Sequence, residues 1–221
     1  MSNKYLTVFN NIQNRNYKKN HFKKFSKDFQ KVISEVVLEI NNREKTLSIL
    51  NKKFKLNFVL NDLKKFEKFN TVALIGMGGS ILGAEAIYNF LEEKIKKKFY
   101  FFNDLNEKRL INLKNKKNLS KILFVIISKS GSTIETLTNT FLLNILKKNS
   151  KNIIIISENK NNLLLKLSKK LNIFYIEHKN YIGGRFSVLS EVGLLPAYLM
   201  GTNISDLKSN VGLFLNKKDK I

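Results

Sequence analysis

The chain has 221 residues, 43% of them hydrophobic, which is enough for the core of one α/β domain carrying an arm. It has no cysteine, so disulfides, a thiolate nucleophile and cysteine-based metal sites are excluded; its two histidines, His21 and His178, lie too far apart in sequence to show a metal-ligand spacing. The formal net charge is +23, but only four of the 40 basic residues are arginine and the lysines are scattered, so the charge reads as a solvated face that attracts anions and not as a specific nucleic-acid footprint.

The N-terminus lacks an apolar run of signal-peptide length, and the longest apolar runs are strand-sized, so a cytoplasmic protein without a membrane partner is expected. Residues 1–20 are polar and read as an irregular arm. Over residues 22–50, Phe25, Phe29, Val32, Ile33, Val36, Val37 and Ile40 recur every three or four positions, the stripe of a packing helix. Residues 54–63 are ambiguous, and 63–69 suit a short helix.

From Thr71 the pattern changes to short apolar runs alternating with helical segments. Strands are expected at 71–75, 99–102, 122–127, 152–156 and 173–176. Helices are expected at 81–94, 107–113, 132–147 and 162–171, and at 191–200 with an interruption at Pro196. Each crossover is long enough for parallel pairing. The pattern predicts a doubly wound parallel α/β sheet sandwich of flavodoxin-like type with an N-terminal helical arm. The expected domains are a helical arm over 1–65, the α/β sheet domain over 66–180, and connecting helices over 181–221.

In such sheets, ligands bind outside the carboxyl ends of the strands. Two turns have that position. The first is Gly76-Met77-Gly78-Gly79-Ser80, a glycine-rich turn with no acidic residue closing the next strand except Asp104, which makes a dinucleotide fingerprint a weak reading. The second is Ser128-Lys129-Ser130-Gly131-Ser132-Thr133-Ile134-Glu135-Thr136. A buried strand runs into a hydroxyl-rich turn that opens a helix, and a helix N-terminus offers free N–H groups and the positive end of a dipole to an anion. Ser132 and Glu135 also have the spacing of a capping box, which needs no ligand. Further on, Gly183-Gly184-Arg185-Phe186-Ser187 reads as a tight loop presenting Arg185, whose alternative is an ion pair with a carboxylate such as Glu191. Two turns meeting at one crevice suit a small sugar phosphate better than a long cofactor.

These three blocks, in this order and rough spacing, resemble the phosphoglucose isomerase family. The second block alone indicates a sugar isomerase (SIS) domain; the first and third narrow it. The resemblance covers roughly residues 71–200. It implies interconversion of glucose 6-phosphate and fructose 6-phosphate through a cis-enediolate, a step of glycolysis and gluconeogenesis. Gly79, Ser80, Ser128, Lys129, Ser130 and Thr133 would lie at the sugar phosphate, Glu135 near the sugar, and Arg185 at the enediolate. No metal or organic cofactor is implied, and a full-length member is expected to be a homodimer. Leu189 and Glu191 stand where the family often has Trp and Ala. The family's general base, a Glu, and its ring-opening His and Lys belong to a second SIS domain beyond Ile221, and neither His21 nor His178 matches. A C-terminally truncated chain, inactive alone, is therefore expected. The alternative is a single-SIS-domain module that binds a sugar phosphate for regulation without catalysis.

Overall fold

The computed structural model describes residues 19–116 and 118–208, so most of the arm at 1–20 and the stretch after 208 lie outside the described residues. The chain falls into two compact units that divide between Glu39 and Ile40. The first carries most of α1 (Lys19–Asn41), within which Phe25 and Phe29 stack at 6.3 Å between ring centroids. The helix expected over 22–50 stops at Asn41, and a separate 3-10 turn follows at Thr46–Leu50. The Asn51 side chain donates to the Ile40 carbonyl, 3.2 Å away, satisfying one of the carbonyls that a helix end leaves free.

The second unit is built on five parallel strands in the order β2-β1-β3-β4-β5. They are β1 (Thr71–Ile75), β2 (Lys98–Phe102), β3 (Ile122–Ile127), β4 (Ile153–Ser157) and β5 (Phe174–Glu177). β3 and β4 are buried along their whole length, as apolar runs covered on both faces must be. Alternate residues feed two cores. Val72, Leu74, Leu123 and Val125 pack with Ala84 of α3 (Leu82–Leu91) and Leu195 of α7 (Glu191–Leu199). Ala73, Ile75, Phe124 and Ile126 pack with Leu110 of α4 (Glu107–Lys116) and Leu164 of α6 (Leu163–Leu171). A short helix, α2 (Leu60–Leu63), precedes β1, and α5 (Ile134–Leu142) follows β3.

Two helix expectations are corrected. α5 ends at Leu142, not near 147, because Asn144 adopts a left-handed backbone with φ 51°. α7 runs through Pro196 without a break: the residue forgoes one i→i−4 bond, yet its carbonyl still accepts from Met200 N at 2.9 Å and the helix continues to Leu199.

The strand order reverses direction between β1 and β3: the chain moves outward to β2 on one side and to β4 and β5 on the other. That is the topological switch point, where the turns leaving adjacent strands part and open a crevice. Both motif-bearing turns leave from this pair.

Candidate functional site

The turn after β1 lies close against its neighbours. A side chain at Gly76 would meet the Ile127 carbonyl at 2.9 Å, so the ends of β1 and β3 touch there. Gly79 makes the tightest approach: an added Cβ would sit 2.3 Å from the carbonyl carbon and oxygen of Gly184. The 3-10 segment Gly184–Leu189 is thereby seated on the glycine turn. Ser187 fastens it, its hydroxyl donating to the Gly79 carbonyl at 2.9 Å and lying 2.7 Å from the Gly184 carbonyl. The third contact is Lys129 Nζ donating to the Asn180 carbonyl at 2.8 Å. The three sequence blocks, far apart in the chain, form one closed triangle of loops at the switch point.

Within the second turn the hydroxyls face one another. Ser128 Oγ lies 2.8 Å from Thr133 Oγ1 and 3.4 Å from Ser130 Oγ, while Ser132 Oγ donates to Ser130 Oγ at 3.4 Å. Ser128 is buried and Ser130 is exposed, so the cluster runs from the sheet edge out to solvent. The capping box is not formed. The N-cap of α5 is Thr133, not Ser132, and it makes no side-chain cap bond, because its hydroxyl is turned to Ser128. The first turn of α5 therefore keeps N–H groups without a side-chain acceptor, beside hydroxyls that contact one another and brace the turn itself, Ser128 Oγ accepting from Gly131 N at 3.1 Å and Ser130 Oγ from Ser132 N at 3.3 Å. Gly131 makes the turn possible: its φ is +64°, and a Cβ there would meet Asn162 Oδ1 at 2.0 Å.

Arg185 is exposed and makes no ion pair among the described residues. Glu191 is not its partner. That carboxylate is fully buried, accepts from Asn57 N at 2.8 Å, and has its other oxygen 3.9 Å from Nδ1 of buried His178. The Arg185 loop thus starts at His178 and ends at Glu191, with its two stems side by side. Glu135 is exposed in the first turn of α5, and no hydrogen bond links it to Ser132. Ser80 is half-buried at the end of the glycine turn. Asp104, the one acidic candidate for a dinucleotide ribose, instead pairs with Arg109 at 3.3 Å.

Lys129 does not join the hydroxyl cluster. Besides the Asn180 carbonyl, its ammonium reaches Glu158 Oε1 at 3.4 Å, and Lys160 holds Glu158 Oε2 at 2.9 Å. Burial alone would push the Glu158 carboxyl up, but the hydrogen bonds and charges of Lys160 and Lys129 outweigh it and hold the group below the ordinary carboxylate range. Sequence reading missed Glu158, Asn162 and Ser187. Ser187 stood inside a noted block; Asn162 has the signature of an N-cap before an apolar run; Glu158 had no local signal at all.

Size does not mark this site. A hollow of about 700 Å³ lies at the opposite end of the sheet, bounded by Lys68, Asn70, Lys121 and Asn152, and no carboxylate or histidine lines it. Among the described residues no group of acidic or histidine side chains could hold a metal ion, and no helix is long and apolar enough to cross a membrane.

The profile of the phosphoglucose isomerase family matches residues 10–208. A probable glucose-6-phosphate isomerase of Methanococcus maripaludis is 32% identical over 76% of this chain, which covers 40% of that relative. A glucose-6-phosphate isomerase of Borreliella afzelii is 36% identical over 70% of this chain and 32% of the relative. The chain thus spans well under half the length of these relatives. Two solved structures share the fold. A hypothetical protein from Thermus thermophilus superimposes with a TM-score of 0.71 at 20% identity, covering 89% of this chain and 49% of the other. A glucose-6-phosphate isomerase from Chlamydia trachomatis gives 0.56 at 23% identity, covering 67% and 29%.

Proposed function

The chain belongs to the phosphoglucose isomerase family, and on that premise we propose that the triangle of loops is the sugar-phosphate-binding half of a glucose-6-phosphate isomerase site. The observation that supports this best is the open N-terminus of α5, ringed by the hydroxyls of Ser128, Ser130, Ser132 and Thr133. A phosphate dianion replaces hydroxyl–hydroxyl contacts with charge-assisted ones and takes up the free N–H groups and the helix dipole. Gly79 and Ser80 lie across the crevice where the sugar would follow, and Glu135 stands at the same helix end.

Aldose–ketose isomerisation moves a proton from C2 to C1 through an enediolate, and negative charge grows on oxygen as the C–H bond breaks. A guanidinium already in place lowers the barrier without having to reorganise. Arg185 has the properties for that role: an ion-pair-free guanidinium among the described residues, on a loop fixed to Gly79 by Ser187 and to Lys129 through Asn180. The proton transfer needs a base near neutral pH. His178 and Glu191 are buried and turned toward each other, so neither serves. This chain alone would bind glucose 6-phosphate and fructose 6-phosphate and turn over little, the base belonging to the remaining length that its relatives have.

Calorimetric titration with glucose 6-phosphate tests the reading. We expect saturable binding that inorganic phosphate displaces and that Ser128→Ala weakens about tenfold, the size of one lost charge-assisted hydrogen bond. Equal affinity in Ser128→Ala would overturn it. Turnover by this chain in a coupled dehydrogenase assay, at a rate typical of enzymes, would overturn the assignment of the base elsewhere.

A further inference from the structure

Lys129 is carried by the hydroxyl turn, yet its charge is spent on another residue. The backbones of Lys129 and Glu158 continue the β3–β4 pairing past the strand ends, with Glu158 N donating to the Lys129 carbonyl at 3.0 Å. Adjacent strands lie about 4.8 Å apart, so the Glu158 carboxylate sits one strand from the turn that would hold a phosphate dianion. Glu158 is 7% exposed, its oxygens divided between Lys129 at 3.4 Å and Lys160 at 2.9 Å. Lys129 is further anchored by the Asn180 carbonyl.

We propose that Glu158 is an affinity-setting residue for the phosphate subsite: it holds the Lys129 ammonium away from the hydroxyl cluster, so that the phosphate is held by hydroxyls, backbone N–H groups and the α5 dipole alone. This rests on the reading of Ser128–Thr133 as a phosphate site. The physical logic is that an isomerase must release its product, and a direct ammonium–phosphate contact would add binding shared equally by substrate, transition state and product, which brings no gain in turnover. A carboxylate that engages the ammonium beside the subsite removes that excess. The Lys129–Glu158 contact also bridges the turns after β3 and β4, with Asn180 linking both to the Arg185 loop, so the restraint costs no extra element.

The test is a double-mutant cycle on the 221-residue chain, read by calorimetry with glucose 6-phosphate and inorganic phosphate at low salt. Glu158→Gln keeps the shape of the side chain and frees the ammonium. We expect it to tighten both ligands about tenfold, a gain that shrinks in high salt. Glu158→Asp keeps the charge but shortens the reach, and we expect a gain of about two- to threefold. In a Lys129→Met background, Glu158→Gln should give little or no gain, because there is no ammonium to release. Unchanged or weaker binding in both Glu158 variants overturns the proposal, as does a gain that persists without Lys129. If Glu158→Gln fails to fold, the Glu158→Asp pair of measurements decides alone. Absence of any binding in the parent chain, by contrast, overturns the phosphate site itself and this proposal with it.

Discussion

Two neighbouring turns of the same sheet differ in how they finish. The turn after β3 opens α5 and the turn after β4 opens α6, and each helix has nine residues. At α6 the end is closed by the chain's own side chain: Asn162 Oδ1 accepts from Leu165 N at 2.9 Å, while Asn162 Nδ2 donates to the Glu158 carbonyl at 2.8 Å, and the residue is buried. At α5 the equivalent residue, Thr133, points its hydroxyl at Ser128, and the helix end has no side-chain cap. A closed end stabilises the fold and is finished. An open end forgoes a cap contribution of about 1 kcal/mol and keeps its N–H groups and dipole available. The comparison separates structural polar residues from ligand-directed ones by where their hydrogen bonds go, which composition alone does not do.

If that distinction is right, matched substitutions in the two turns must have opposite signatures. The largest stability effect is expected for Asn162→Ala. It removes the cap of α6, leaves the Glu158 carbonyl short of a donor and opens a void beneath Gly131. Together these should cost about 2–3 kcal/mol, seen as a fall of about 6 °C in the thermal midpoint. A change under about 0.5 kcal/mol would mean that the cap adds nothing. Thr133→Ala should do the reverse. It loses no cap bond, only the 2.8 Å hydroxyl contact with Ser128, so the stability cost should stay at about 1 kcal/mol or less, while glucose 6-phosphate affinity measured by calorimetry drops about tenfold. A Thr133→Ala protein destabilised by as much as the Asn162 variant would show that both ends are structural and would break the comparison.

The same contrast explains what the sequence made legible. Strand positions were readable almost to the residue: β1 and β3 lie at the expected 71–75 and 122–127, because a strand buried on both faces leaves a continuous apolar run. Helix ends were less readable. Leu143 and Ile145 are buried and continue the apolar pattern of α5, yet the helix has stopped at Leu142. Periodicity records burial, whereas termination is set by the backbone of Asn144. At the site, the three loops were visible as three motifs, and the structure adds the contacts joining them. The capping box misled because Ser132 and Glu135 have the right spacing, while the N-cap is Thr133, whose hydroxyl goes to Ser128 five residues back. Glu158 was invisible because its meaning depends on Lys129, brought beside it only when β4 pairs with β3.

The smallest expected effect lies where the two turns meet. Lys160 and Lys129 hold the Glu158 carboxyl below the ordinary carboxylate range against the opposing push of burial. A carboxyl depressed in the folded state binds its proton less readily than in the unfolded chain. Its contribution is therefore present above the unfolded carboxylate value and is lost as pH falls through the lower folded value. Thermal midpoints measured from neutral pH down into the acid range should show a shallower acid decline for Glu158→Gln than for the parent, the two curves converging at the lowest pH. Because Lys129 and Lys160 are themselves partly open to solvent, the difference should shrink further in high salt. Parallel curves at every pH would place the Glu158–Lys129 contact outside the folding equilibrium. The join between the turns would then act on the ligand alone.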